Sequence, residues 1–299
     1  MSDIGAGFID GRQSEWRSLI KDSNYGKFFS DCNDIEFLHI GPHRTGATFL
    51  QQNIFPFYSN SSKIFSNDVI CGKFFDNGLD NVKLVHKLCP QAKIIIILRN
   101  QVSMINSSYR TYIKKGGVWS FPKFAQEIIN NGKYDYDKLL LEYTNYFGKE
   151  NCKIFFYEKL VNEPSVFLKE ILDYVNVSSG IEHDLGRVKE GPTKYFNLFL
   201  RGVNFTTKKL IDLSDIIKKY FFINSEIDNF AKAFRLMCLN YGSGVDDKYI
   251  KKMGNLSKMK KQFGYNKPKS KIKQFYRDGN INIGVLFNVE DSLKKYGYY

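Results

Sequence analysis

The sequence predicts an α/β fold, a P-loop-like three-layer arrangement with a central parallel sheet flanked by helices and a helical C-terminal part. Three observations lead there. Short apolar segments alternate with amphipathic ones from Ile35 to Tyr174, the order expected of strand and helix units feeding a parallel sheet. One segment, Lys93–Leu98 (KIIIIL), is apolar and β-branched without alternation, as a central strand covered on both faces must be. The first apolar segment runs directly into a glycine-flanked turn and then an amphipathic stretch, which is how a chain builds a site for a phosphate or sulfate.

Taken in order, Ile35 to Ile40 reads as a buried strand, Gly46 to Phe57 as its helix, and Lys63 to Ser66 as a second short strand. Leu79 to Leu88 is an amphipathic helix leading to the strand Lys93–Leu98. Helical patterns follow at Val102 to Lys115 and Tyr134 to Phe147, with a turn at Lys115-Gly116-Gly117 between them. Cys152 to Tyr157 is another strand and Pro164 to Tyr174 another helix. After about Gly180 the alternation stops, and Tyr195 to Tyr276 reads as helices and loops with a Lys-rich stretch from Lys251 to Lys273. Residues 1–299 are thus expected to form a single domain, with 1–34 as a polar-aromatic N-terminal extension and 195–276 as a mainly helical insertion.

At 299 residues and 43% hydrophobic content the chain can bury a substantial core and is not disordered. Its 44 basic against 31 acidic residues, net +13, permit a nucleic acid, an anionic membrane surface or a small polyanion as partner, and charge alone does not choose among them. Ordinary solubility accounts for most lysines outside the motifs. Cys32, Cys71, Cys89, Cys152 and Cys238 are odd in number and widely spaced, with no C-x-x-C pair, so neither a disulfide framework nor a zinc site is suggested. The N-terminus has no basic-then-apolar signal pattern, and no stretch approaches the ~20 apolar residues that span a bilayer. A cytoplasmic protein is the expectation.

Two segments carry chemistry. In FLHIGPHRTGATFLQQNIFP, Gly41 and Gly46 allow a tight turn and Arg44 adds a full positive charge to backbone N–H groups. The Gly41-x4-Gly46 spacing satisfies half of a nucleotide-triphosphate loop, but Ala47 stands where that loop needs its Lys. In the second segment the strand ending at Leu98 delivers Arg99 to the rim where ligands bind in open α/β sheets, and Ser107 follows eight residues later. An Arg fork beside a hydroxyl suits a phosphate, although an Arg capping a helix or pairing with Asp has the same local pattern.

Together these segments resemble the sulfotransferases that use 3′-phosphoadenosine-5′-phosphosulfate (PAPS). Their 5′-phosphosulfate loop, roughly P-x-(K/R)-(S/T)-G-(T/A)-T, is matched by Pro42, Arg44, Thr45, Gly46, Ala47 and Thr48. Their 3′-phosphate site, R-(N/D)-P-x5-S, is matched by Arg99, Asn100 and Ser107, with Gln101 in place of the usual Pro. KIFFYEKLVNEP resembles the family's I-x-x-Y-E-x-L segment. Phe275 to Tyr299, with Asn280 and the closing Tyr296-Gly297-Tyr298, resembles the C-terminal helix and ending of soluble bacterial members. The likeness covers roughly Ile35 to Ser178 and the end of the chain.

What the resemblance implies follows residue by residue. PAPS would be the cofactor and adenosine 3′,5′-bisphosphate the product, with no metal required. Arg44, Thr45, Gly46, Ala47, Thr48 and Phe49 would hold the 5′ end, and Arg99 with Ser107 the 3′-phosphate. Arg187, Lys189 and Lys194 would belong to a basic loop over the 3′-phosphate and adenine, although a solvated basic turn has the same composition. Arg44 would also stabilise charge on the leaving oxygen. The general base would be Asp68, the carboxylate following the second strand, or else His43 within the loop; Asp68 as a helix cap is the alternative. The partner would be a small-molecule or carbohydrate acceptor offering a hydroxyl or amine, with neither nucleic acid nor membrane involved and a homodimer left open. Two other classes compete: a nucleotide-dependent small-molecule kinase, and a non-catalytic anion- or nucleic-acid-binding module.

Overall fold

The computed structural model describes residues 35–53, 55, 64–66, 70–72, 78–176, 200–212, 232, 235 and 269–299. Strands β1 (Phe37–His39), β2 (Ile64–Ser66), β3 (Lys93–Leu98) and β4 (Cys152–Phe156) form a four-stranded sheet in the order β2-β1-β3-β4, with every neighbouring pair parallel. The register aligns Leu38 with Phe65 on one side and Ile94 on the other, and Ile96 with Ile154. Between the strands run α1 (Ala47–Asn53), α2 (Leu79–Leu88), α3 (Gln101–Lys114), α4 (Phe121–Asn130) and α5 (Tyr136–Phe147). After β4 come α6 (Tyr157–Asn162) and α7 (Pro164–Tyr174), and the chain closes with α8 (Lys269–Phe287) and α9 (Glu290–Lys295).

The layers follow from strand alternation. Phe37, Ile95, Ile97 and Phe155 project from one face into a core with Leu50 of α1, Leu160 of α6 and Phe167, Leu168, Ile171 and Leu172 of α7. Their strand neighbours must face the opposite way, where α5 packs on β3, β4 and α2. Ile94 to Leu98 are all fully buried, as a strand between two helical layers requires. At about 1.5–3 kcal/mol for each large apolar side chain buried, this strand is the main apolar anchor of the sheet.

Two helices were absent from the expected order. Helix α4 occupies what looked like a connection, yet Phe121, Phe124, Ala125 and Ile128 are buried at helical spacing and Pro122 stands in the first turn, where its missing N–H costs nothing. Helix α6 is a six-residue turn that ends at Asn162, separated by Glu163 alone from Pro164, the first residue of α7.

The chain divides into two compact units. The first comprises 1–104, 128–188 and 272–299 and contains the sheet; the second comprises 105–127 and 189–271. Within the second unit Tyr109 packs edge-on against Phe121, and Tyr112 lies against Trp119 and Phe124. Residues 200–212 are helical there, and Asn204 donates to the carbonyls of Ile113 (2.7 Å) and Gly117 (3.0 Å), satisfying acceptors at the end of α3. Among the described residues no helix is long and apolar enough to cross a membrane.

Candidate functional site

The strand order sends the chain from β1 outward to β2 and then back across to β3 on the other side of β1. The carboxyl ends of β1 and β3 are therefore adjacent with their connections diverging, the arrangement that opens a ligand crevice in an α/β sheet. The two motif segments, the loop Gly41–Gly46 after β1 and Arg99 after β3, both lie on this edge. The Ile97 N–H donates to the Gly41 carbonyl at 3.3 Å, tying the start of the loop to β3.

Left-handed backbone shapes the loop. Gly41 has φ 97°, Arg44 φ 74° and Gly46 φ 85°. Gly46 has a second constraint, because an added Cβ would lie 2.5 Å from Leu160 Cδ2 and 3.8 Å from the Tyr157 ring. Thr45 is fully buried, and its hydroxyl donates to the Pro42 carbonyl at 2.5 Å, closing the turn from within. Ala47 is buried. Phe49 is partly buried, its side chain packed against the core. Thr48 lies in the first turn of α1, and Arg44 is exposed at the tip of the loop.

Arg99 bridges the two segments. Its Nη1 donates to the Arg44 carbonyl oxygen at 2.7 Å, its Nε donates to Ser103 Oγ at 2.7 Å, and its guanidinium carbon lies 4.2 Å from the centroid of the Tyr157 ring. Its Nη2 has no acceptor among the described residues. The Arg99 carbonyl is held in turn by the Tyr136 hydroxyl at 2.8 Å. Ser103, one turn into α3, is thus the hydroxyl bonded to Arg99; Ser107 stands a further turn along the helix, in the second unit.

Behind Arg99 lies a polar cluster that sequence reasoning gave no role. Glu158 Oε1 accepts the Asn100 N–H at 2.9 Å and its Oε2 accepts the Tyr298 hydroxyl at 3.2 Å. Burial pushes the Glu158 carboxyl above its ordinary range, opposed by these hydrogen bonds and by the charge of Arg99. The Asn100 side chain donates to the carbonyls of Gly297 (2.7 Å) and Tyr296 (3.3 Å). The motif Asn therefore secures the C-terminal Tyr-Gly-Tyr, while its Oδ1 accepts the N–H of Val102 at 3.1 Å and caps α3. A signal for Glu158 was present in the sequence: it is a carboxylate two residues beyond β4, on the ligand edge of the sheet.

On the β1–β2 side, His39 is fully buried, with Nδ1 2.7 Å from Ser66 Oγ, and Gln51 donates to Ser66 Oγ at 3.1 Å. Burial holds the His39 imidazole down at about 3, so it stays neutral near pH 7. His43 stands half-buried in the loop's turn. Asp68, Arg187, Lys189 and Lys194 lie outside the described residues, as does the Thr48 side chain.

A family model described as "Sulfotransferase family" matches residues 66–179. The matched stretch contains β3, Arg99, β4 and Glu158 and begins after the Gly41–Gly46 loop. A crystal structure of a sulfotransferase from Alicyclobacillus acidocaldarius is 16% identical, covering 70% of this chain and 87% of its own, with a TM-score of 0.36. No curated protein matches. The family match falls on the strands that carry the Arg99 edge, so over residues 66–179 this chain is similar to the sulfotransferase family.

Proposed function

We propose that the chain transfers the sulfuryl group of PAPS to a hydroxyl or amine of a small-molecule or carbohydrate acceptor, releasing adenosine 3′,5′-bisphosphate. The supporting observation is the contact of Arg99 with Arg44, which brings two guanidinium-bearing residues from two strand ends to one edge of the sheet. A nucleotide with anions at both ends of its ribose needs such a pair. One feature fits it: the Arg99 Nη2 has no acceptor among the described residues. The family supports sulfuryl transfer in general.

In this reaction the acceptor oxygen or nitrogen forms a bond to sulfur as the bond from sulfur to the bridging oxygen breaks. Negative charge builds on that bridging oxygen. Arg44 and the loop N–H groups stabilise it, the term that dominates catalysis in the analogous phosphoryl transfers. Arg99 and Ser107 bind the 3′-phosphate, with Arg187, Lys189 and Lys194 covering it. The acceptor proton passes to Asp68, with His43 as the other candidate base.

Titration calorimetry with adenosine 3′,5′-bisphosphate, set against ATP with Mg²⁺, tests the donor. An acceptor library incubated with PAPS and read by the mass of one added SO₃ group tests the reaction. Preference for Mg²⁺-ATP would move the protein to the kinase class, and affinity only for long polyanions with steep salt dependence would make it a non-catalytic binder.

A further inference from the structure

Arg99 is fixed from every side the structure describes, more firmly than a residue that merely meets a phosphate needs to be. Its Nε is bonded to Ser103 at 2.7 Å, its guanidinium carbon lies over the Tyr157 ring at 4.2 Å from the centroid, and its own carbonyl is held by Tyr136 at 2.8 Å. The bond that all this serves runs to the Arg44 carbonyl, at 2.7 Å. Arg44 is the one residue of the loop that adopts the left-handed region without being glycine, at φ 74°. A side chain resists that conformation, so something outside the loop must hold the peptide in place. The Tyr157 ring contributes at both ends: one face carries the guanidinium, and its edge borders Gly46, the residue that closes the loop.

We propose that the Arg99–Tyr157 stack is a positioning device for the 5′ loop, so that one guanidinium couples the two anion sites: Nη1 sets the Arg44 peptide while Nη2 is presented to the 3′-phosphate. The inference rests on the nucleotide assignment above and adds a specificity rule. A nucleotide with anions at both 3′ and 5′ positions secures the guanidinium and thereby the loop, whereas one with a 5′ anion alone relies on the protein to do so. Only a planar fork can bond Ser103, bond Arg44 and lie flat on a ring at once, so Lys cannot replace Arg99. Tyr157 is required for its aromatic face, so Phe can replace it and Leu cannot.

The test uses the full chain with four variants, Arg99→Lys, Tyr157→Phe, Tyr157→Leu and Ser103→Ala, and two readouts. The first is amide hydrogen exchange of the 41–50 segment in ligand-free protein. The second is calorimetry with adenosine 5′-phosphate, which lacks the 3′-phosphate, beside adenosine 3′,5′-bisphosphate. Arg99→Lys and Tyr157→Leu should each speed loop exchange and weaken adenosine 5′-phosphate, by about tenfold for Arg99→Lys, the scale of one lost charge-assisted hydrogen bond. Tyr157→Phe should behave as wild type, and Ser103→Ala should lie between. Unchanged loop exchange in Arg99→Lys, or weakening confined to the bisphosphate, would overturn the coupling. Equal behaviour of Tyr157→Leu and Tyr157→Phe would overturn the role of the ring. If wild type binds neither nucleotide, the donor assignment fails by itself, and the exchange readout still decides whether Arg99 and Tyr157 hold the loop.

Discussion

The side-chain amides of Gln101 and Asn280, 179 positions apart, exchange two hydrogen bonds: Gln101 Nε2 donates to Asn280 Oδ1 at 2.7 Å and Asn280 Nδ2 donates to Gln101 Oε1 at 3.2 Å. Both residues are buried, and Asn280 also donates to the Tyr298 carbonyl at 3.1 Å. Gln101 stands where the sulfotransferase pattern has Pro, at the first residue of α3, a position Pro tolerates. Gln101→Pro should nonetheless lower unfolding stability by ~1–3 kcal/mol, because it leaves the buried Asn280 Oδ1 without its donor. Urea denaturation measures this. A variant as stable as wild type would show that the amide pair contributes nothing net.

His39 gives stability a defined pH dependence. Its imidazole is held at about 3 in the folded protein against 6.5 when unfolded, so between those values the unfolded chain binds the extra proton. The stabilisation is complete above the unfolded value and is lost as pH falls towards the folded one. By pH 5 the loss relative to pH 8 should be about 2 kcal/mol. His39→Asn keeps a polar group near Ser66 but cannot titrate. Its stability deficit against wild type should therefore shrink by about that amount from pH 8 to pH 5, and a constant deficit in urea titrations at the two pH values would refute the assignment.

Gly46 answers to two separate constraints, which a mutant cycle can divide. Gly46→Ala introduces both the left-handed strain, ~1–2 kcal/mol, and a collision with Leu160 Cδ2. Leu160→Ala removes the collision and leaves the strain, at its own cavity cost of ~2–5 kcal/mol. The double variant should thus be more stable than the sum of the single losses. Strict additivity in thermal or urea unfolding would mean that Leu160 does not confine the loop.

On the proposed function, Arg44 acts in the transition state, where charge builds on the leaving oxygen. Arg44→Ala should reduce kcat by at least ~10²-fold, as for loss of an oxyanion donor, with a smaller effect on binding of the bisphosphate product. Steady-state kinetics with an identified acceptor separate the two. Normal turnover with a raised KM for PAPS would leave Arg44 a binding residue only.

Several elements could be read from residues alone because local composition determined them. Helix α2, strand β3 and helix α7 fall on their expected bounds, since an amphipathic decapeptide, an unbroken β-branched run and a Pro-initiated helix each admit one solution. Helix α4 was legible too, in Pro122 and the spacing of Phe121, Phe124 and Ala125, but the Gly116-Gly117 turn before it drew the connection too long. Of the candidate site residues, Arg44 and Arg99 were named from the sequence, and the fold brings them into contact. The spacing gave no sign that the guanidinium bonds Ser103 and lies over the Tyr157 ring, since both contacts depend on the side chain's path in the closed fold. The pairing of Gln101 with Asn280 could not be found that way. The two lie 179 positions apart, so only the closed fold brings them together.

The Asn100 side chain has a consequence for biosynthesis. Its acceptors, Tyr296 and Gly297, come 196 and 197 residues later in the chain. On a ribosome, β1 and β3 can pair long before those residues emerge, but the Asn100 side-chain bonds must wait for them. Closing so long a loop comes late in folding. Premature termination a few codons from the end would therefore spare the sheet and yet release a shaped but unfinished crevice, one whose Asn100 and Glu158 still lack the tail that fastens them.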